Sequence, residues 1–270
     1  MWIISTSVLT ETGRYKMATE QSEFGRIEVF EDFLGAENPL ASTVQENNAA
    51  TTALLNFGPL VCRGEALDDG TSGIVPVADA LSGVGRITAP YGADGDCLYL
   101  GTETTIGVAK MAPIILECRV EMAALTARRV YMGLVGNFAD SQGYINTGTT
   151  GTITLTEANQ CGFVFDSGLT EAVKWYMPFK GGTTTGITDA SEIVSGVTPV
   201  AAEFDILRLE VDNNGTARWF INGVLEQTQA GAISTSVVHS AMIGVMATTS
   251  TAPTADFDYF YISCNRDWTV

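Results

Sequence analysis

The stretch Phe204-Asp-Ile-Leu-Arg-Leu-Glu-Val-Asp-Asn-Asn-Gly-Thr-Ala-Arg-Trp-Phe-Ile-Asn-Gly-Val-Leu-Glu-Gln-Thr228 decides the fold. Leu207, Leu209 and Val211 alternate with Arg208 and Glu210, the period-two pattern of a strand with one buried face; Ile206 falls out of step. Asn213-Asn214-Gly215 turns the chain into a second run from Thr216 to Ile221. Asn222-Gly223 returns it along Val224-Leu-Glu-Gln-Thr, because a type I′ turn needs positive φ at both central residues and Asn-Gly tolerates it. Three adjacent antiparallel strands follow from local chemistry alone.

The same pattern extends outward. In Ile114-Ile-Leu-Glu-Cys-Arg-Val-Glu-Met, Leu116, Cys118, Val120 and Met122 oppose Glu117, Arg119 and Glu121, a half-buried antiparallel strand. Arg129-Val-Tyr-Met-Gly-Leu-Val-Gly and Cys161-Gly-Phe-Val-Phe-Asp are unbroken apolar runs, as expected of central strands covered on both sides. Ile27 to Leu34, Cys97 to Gly101, Thr104 to Ala109, Lys174 to Lys180, Ala241 to Ala247 and Asp256 to Ser263 also read as strands. About a dozen strands at roughly ten-residue spacing must stack as two sheets, so the expected fold is an all-β, two-sheet antiparallel β-sandwich. The weakly patterned region from about 40 to 95 is expected to hold short edge strands and a long surface loop. Residues 1–26 are expected to be an N-terminal arm or extension, and 27–270 a single sandwich domain. Met17-Ala-Thr-Glu-Gln reads as an ordinary translation start, so residues 1–16 are either an upstream extension or a flexible arm.

Composition narrows the partners. Lys+Arg number 14 against 31 Asp+Glu, a net charge of −17, with only 17% charged residues. The chain is short of base rather than crowded with acid. Phosphate backbones and anionic membranes are bound through clustered Lys and Arg, so neither is an expected partner. No window approaches the roughly 18 apolar residues of a membrane span. The opening Met1-Trp-Ile-Ile-Ser lacks the basic region of a secretion signal. The five cysteines, Cys62, Cys97, Cys118, Cys161 and Cys264, form no C-x-x-C pair and read as buried thiols of a protein folded in a reducing compartment. A lone histidine, His239, excludes a His-based zinc site and reads as a partly buried strand or loop residue.

Candidate chemistry is sparse. Glu117 and Glu121 share a strand face but stand about 13 Å apart, against about 5 Å for a retaining glycosidase pair. Glu210 and Asp212 stand about 7 Å apart, lead into a turn and have no third acid. Asp94 with Asp96, and Asp212 with Asn213 and Asn214, each supply two or three oxygens where calcium needs about 6–8. No Gly-x-Ser-x-Gly elbow, Walker loop or dinucleotide loop is present. The expectation is no catalytic residue, no metal site and no cofactor. Trp175, Tyr176 and Trp219 are the candidates for stacking against a sugar, with core packing the favoured reading of Trp219.

Taken in order, Phe30-Glu-Asp-Phe-Leu-Gly, Leu116-Glu-Cys-Arg-Val-Glu-Met, Tyr131-Met-Gly-Leu-Val, Gly162-Phe-Val-Phe-Asp, the Leu207 to Leu225 hairpin and Asp256-Phe-Asp-Tyr-Phe-Tyr-Ile resemble the concanavalin A-like (laminin-G-like) jelly roll. More narrowly, they are similar to a group of tailed-bacteriophage structural proteins with that fold. The Glu-x-Asp-x-x-Glu stretch of β-glucanases in this fold class is missing. The resemblance implies a non-catalytic capsid decoration protein, synthesised in the host cytoplasm. It would sit on the outer capsid surface of the virion as a homotrimer and bind the major capsid protein across subunit junctions. The alternative is a glycan-binding, lectin-like module of a phage tail or fibre, or of a bacterial surface protein; a divergent glycoside hydrolase is a third option.

Overall fold

The computed structural model describes residues 25–34, 55–65, 72–77, 80, 83–90, 95–139, 145–147, 153–169, 174–187, 193–248 and 251–267. Residues 1–24 of the expected arm, and Asp94, lie outside them. Strands are numbered in chain order. An eight-stranded sheet runs β17 (Val224–Gln229), β16 (Ala217–Ile221), β15 (Phe204–Val211), β8 (Ile114–Glu121), β19 (Thr254–Asn265), β5 (Gly85–Thr88) and β4 (Gly73–Pro76). The 12 residues of β19 are enough for β5 to pair with its first half and β1 (Arg26–Glu31) with its second. A nine-stranded sheet runs β13 (Trp175–Tyr176), β12 (Gln160–Asp166), β9 (Arg128–Val135), β18 (Val238–Ala247), β6 (Cys97–Gly101), β3 (Leu60–Glu65) and β2 (Leu55–Phe57). It also takes β14 (Phe179–Lys180) beside β12 and β7 (Ile106–Gly107) beside β18, while β10 (Ile145–Thr147) and β11 (Ile153–Leu155) form a separate hairpin. All these pairings are antiparallel, and the two large sheets stack as a sandwich.

The eight-stranded sheet follows the alternation of its sequence. Ile114, Leu116, Cys118 and Val120 are buried, while Glu117, Arg119 and Glu121 are half-buried on the other face. In β15, Leu207, Leu209 and Val211 are buried, and Ile206 sits on the outer face with Arg208 and Glu210. Asn222 and Gly223 take φ of 52° and 80°, the two positive angles that the hairpin turn demands. The 40–95 region contains β2 and β4 at sheet edges, as expected, but also β3 and β5 inside the sheets.

The nine-stranded sheet is different because both its faces are apolar. In β9 and β12 every residue is buried. Trp175 pairs in register with Phe165 and reaches across the sandwich to Asp205. Alternation therefore points Phe163, Phe165, Val130, Met132, Ile243 and Val245 into the core, and Tyr131, Val164, Tyr176, Met242 and Tyr99 away from it. Those outward residues are nonetheless at most 1% exposed, so this second face is covered too. Phe138, just past β9, lies 5.3 Å beneath the Arg63 guanidinium of β3 and is part of that cover.

Side-chain hydrogen bonds tie the sheets together: Arg128 of β9 donates to the Thr254 carbonyl of β19, and two further contacts involve tryptophans. Trp219 of β16 donates its indole N–H to the Gly162 carbonyl of β12 at 2.9 Å. Gly162 faces Gly133 across the β9–β12 ladder, and a Cβ on Gly162 would stand 2.2 Å from the Met132 carbonyl oxygen and 2.8 Å from the Gly133 Cα. The second contact is the Asp205 carboxylate, which accepts the Trp175 indole N–H at 2.9 Å and the Asn222 side-chain amide at 2.8 Å. It joins the two sheets and the hairpin turn.

Two elements correct the sequence reading: the strand expected over Lys174 to Lys180 is split into β13 and β14, with Met177 and Pro178, which has no N–H for a ladder, between them. The strand expected over Thr104 to Ala109 is only β7, after which Val108–Met111 forms a single helical turn, α1. The chain crosses here from one sheet to the other. A helical turn puts Val108 and Met111 on one side, where both are buried, and Pro113, which has no N–H for a ladder, follows at once.

A Gly162→Ala substitution is expected to lower unfolding free energy by about 2 kcal/mol or more, since the clash is with backbone. Gly223→Ala, where a Cβ meets nothing within 4 Å, should cost only about 1 kcal/mol through its positive φ. Urea midpoints for the two variants check this; equal losses would contradict it.

Candidate functional site

The three rings singled out as sugar platforms are not available. Trp175, Tyr176 and Trp219 are each 0% exposed. Trp175 and Trp219 point into the sandwich, spending their N–H groups on Asp205 and Gly162, and Trp219 packs against Phe179. Tyr176 points the other way, onto the covered second face of the nine-stranded sheet. Trp175 and Tyr176 lie on opposite faces of a sheet that is buried on both, and Trp219 lies on the core face of β16, with Phe220 half-buried on the other.

The open face is the outer face of the eight-stranded sheet, where aromatic rings gather at the β1–β19 pair. Phe30 of β1 stands opposite Tyr261 of β19 and remains 53% exposed. Its ring stacks on Tyr259 at 5.7 Å between centroids and meets Tyr261, tilted, at 6.4 Å. Phe30 reaches this face because Ile27-Glu-Val-Phe puts it in step with Glu28 rather than with Ile27 and Val29. Tyr259 and Tyr261 alternate with the buried Phe260 and Ile262. A β-bulge at Asp258 adds one residue to β19 opposite Arg119, which turns the Asp258 carboxylate onto the Arg119 guanidinium at 2.5 Å. That guanidinium also lies 4.0 Å over the Phe204 ring.

From the rings a chain of charge-assisted bonds crosses the sheet. The Tyr259 hydroxyl donates to Glu117 at 2.8 Å, Arg208 donates to Glu117 and Glu210, and Arg218 donates to both oxygens of Asp212. Burial alone would lower the Arg208 pKa, but the Glu210 and Glu117 carboxylates hold it above the ordinary value. Desolvation, reinforced by Glu117, likewise pushes the Tyr259 hydroxyl up, so it stays a donor at neutral pH. Glu117, Glu210 and Asp212, weighed from sequence as catalytic acids, are thus each engaged by a guanidinium. Glu121 pairs in register with Asp256, whose carboxylate binds Arg86 twice at 2.7 Å.

The oxygen-rich turn after β15 is also accounted for. Both Asp212 oxygens are taken by Arg218, Asn214 accepts the Thr216 N–H at 3.0 Å, and Gly215 closes the turn with φ of 78°. Asp96 is buried, and its main-chain carbonyl accepts the Ala247 N–H. No group of three or more His, Cys, Asp or Glu side chains fit to hold a metal occurs among the described residues. On the covered face of the nine-stranded sheet the Asp166 carboxylate is paired with Arg129 at 2.8 Å, both nearly fully buried. None of the five cysteines, all of them among the described residues, is in a disulfide, and all are buried. Desolvation raises the thiol pKa of Cys118 and Cys161, and brings Cys264 to about 11 against the opposing pull of Arg26 and Arg266.

No protein-family model matches the chain, and no curated protein does by sequence. Solved structures do match in shape. A protein of unknown function from Shewanella oneidensis MR-1 is 10% identical with a TM-score of 0.54, covering 95% of this chain and 97% of its own. Peanut lectin is 10% identical with a TM-score of 0.51, covering 89% and 97%. The carbohydrate recognition domain of Emp46p is 10% identical with a TM-score of 0.48, covering 78% and 90%. At such identities the likeness shows the fold alone, and the fold is the concanavalin A-like β-sandwich.

His239, the second residue of β18, is fully buried rather than partly exposed. Among the described residues neither ring nitrogen has a hydrogen-bond partner. Desolvation lowers its pKa from 6.5 to about 4, and the backbone of its cross-strand neighbour Ile106 opposes that shift in part without reaching bond geometry. The folded state therefore prefers the neutral ring. This contribution is complete above pH 6.5 and is lost as pH falls towards 4. A His239→Gln variant should lose about 3 kcal/mol less than the parent between pH 7 and pH 4. Urea titrations at the two pH values check this, since the carboxylates contribute equally to both proteins; identical losses would contradict it.

Proposed function

We propose that the protein is a non-catalytic, lectin-like module that binds a glycan on the outer face of its eight-stranded sheet. The observation that carries this reading is the Phe30–Tyr259–Tyr261 cluster: three rings, one of them 53% exposed, set among carboxylates on an open sheet. Sugar rings present C–H groups on one side and hydroxyls at the edge, and such a surface meets both. The concanavalin A-like sandwich supports the reading, since peanut lectin and the carbohydrate recognition domain of Emp46p are built on it. The non-catalytic part rests on the guanidiniums that engage Glu117, Glu210 and Asp212.

A second reading keeps the capsid decoration protein of the sequence resemblance, a homotrimer on the outer shell of a virion in contact with the major capsid protein. One observation favours it. Val224 and Leu225, on the edge strand β17, are 61% and 50% exposed, apolar side chains suited to a protein neighbour. A virion-surface protein that displays a glycan-binding face satisfies both readings.

A glycan array probed with the full chain tests the first reading: binding to at least one glycan class, lost on Phe30→Ser, is expected, and silence across the array overturns it. Co-sedimentation with undecorated capsids tests the second.

A further inference from the structure

Resting on the glycan-binding reading, we infer that the Phe30–Tyr259–Tyr261 site selects sugars that carry a free amino group and rejects acidic ones. The argument is the charge that surrounds the rings. Glu28 shares their face two residues before Phe30, and the Tyr261 hydroxyl approaches it at 3.5 Å. Glu117 accepts the Tyr259 hydroxyl, and Asp258 sits beside Tyr259 at the bulge. Three carboxylates thus border one patch of exposed ring.

The cations nearby are committed elsewhere. Arg119 is held by Asp258 and lies 4.0 Å over the Phe204 ring. Arg208 is shared between Glu117 and Glu210. Arg26 is on the same strand face as Phe30, and its guanidinium donates to Ser263, the register partner of Glu28, so it lies beside that carboxylate rather than over the rings. A uronate or sulfate arriving at the rings would meet carboxylates, while the guanidiniums described nearby already donate to Asp258, Glu117, Glu210 and Ser263, in a chain whose net charge is −17.

An ammonium group meets the opposite situation. Aromatic faces attract a cation through the ring quadrupole. Carboxylates accept its N–H groups as strong, charge-assisted bonds. Asp258 makes a single guanidinium contact through Oδ2 and keeps acceptor positions for a ligand. A sugar with an amino group in place of one hydroxyl offers a C–H face for Phe30 and a cation for the carboxylate border at once. A neutral sugar gets only the first.

Isothermal titration calorimetry on the full chain at pH 6 tests this with four probes: a glucosamine hexamer, its N-acetylated form, an oligogalacturonate, and hexalysine. The expected order is amine first, neutral hexamer weaker, and oligogalacturonate unbound. Hexalysine has the charge without the sugar face and should bind at least tenfold more weakly than the amine hexamer. Asp258→Asn should lower affinity for the amine hexamer about three- to fivefold and leave the N-acetylated one unchanged. Phe30→Ser, an exposed position where folding is checked by near-ultraviolet circular dichroism, should weaken both by about tenfold or more. Oligogalacturonate binding as tight as the amine, equal affinity for hexalysine, or indifference to both substitutions would overturn the inference. If the array shows glycan binding that ignores these variants, only the site and its selectivity fail; if no glycan binds at all, the parent reading fails.

Discussion

The nine-stranded sheet is apolar on both faces, and that constraint governs the rest of the molecule. A sheet of this kind must be covered twice. One cover is the eight-stranded sheet, which contributes Trp219, Phe257, Phe260 and the β8 and β15 side chains to the core. The other includes Phe138 and hides Tyr99, Tyr131, Val164 and Tyr176. With both faces closed, the outer face of the eight-stranded sheet is the broad sheet surface left open, and among the described residues it is where aromatic rings and charged groups meet solvent together.

Charge on that face is organised rather than scattered. Along β8, β15, β16 and the turn after β15, carboxylates and guanidiniums alternate, from the Tyr259 hydroxyl through Glu117, Arg208, Glu210 and Arg218 to Asp212. Half-exposed pairs of this type contribute little each to stability, about 0–1 kcal/mol. Their consequence is to fix orientation: the ladder holds Tyr259, and the bulge at Asp258 places a carboxylate beside it. The residue types that give an ordinary solvated strand face become a shaped border once β1 adds Phe30. The cross-core contacts, Asp205 with Trp175 and Asn222, and Trp219 with Gly162, keep the sheet beneath that border in register with its partner.

Much of this was legible locally. The Leu207 to Leu225 hairpin, the alternation of β8 and the unbroken apolar runs of β9 and β12 each encode their own exposure within a few residues. What local pattern does not carry is the covering of the second face. Lys174-Trp-Tyr-Met carries rings on both sides of a strand, and only the three-dimensional stacking decides that neither side meets water. Phe30, Tyr259 and Tyr261 had a local signal, since each is out of phase with the buried residues of its strand. Their convergence depends on pairing β1 with β19, from opposite ends of the chain, which no local window contains. The bulge at Asp258 and the helical turn at Val108 escaped for the same reason: both are answers to where a neighbouring strand or sheet lies.

The central claim is that recognition takes place on the Phe30–Tyr259–Tyr261 face and not on the nine-stranded sheet. Hydroxyl-radical footprinting, read residue by residue by mass spectrometry with and without a bound glycan, tests it most directly. The account predicts that Phe30, Tyr259 and Tyr261 are oxidised in the free protein and protected by the ligand, while Trp175, Tyr176 and Trp219 stay unreactive in both states. Ligand protection confined to the nine-stranded sheet, with the three rings unchanged, would contradict it.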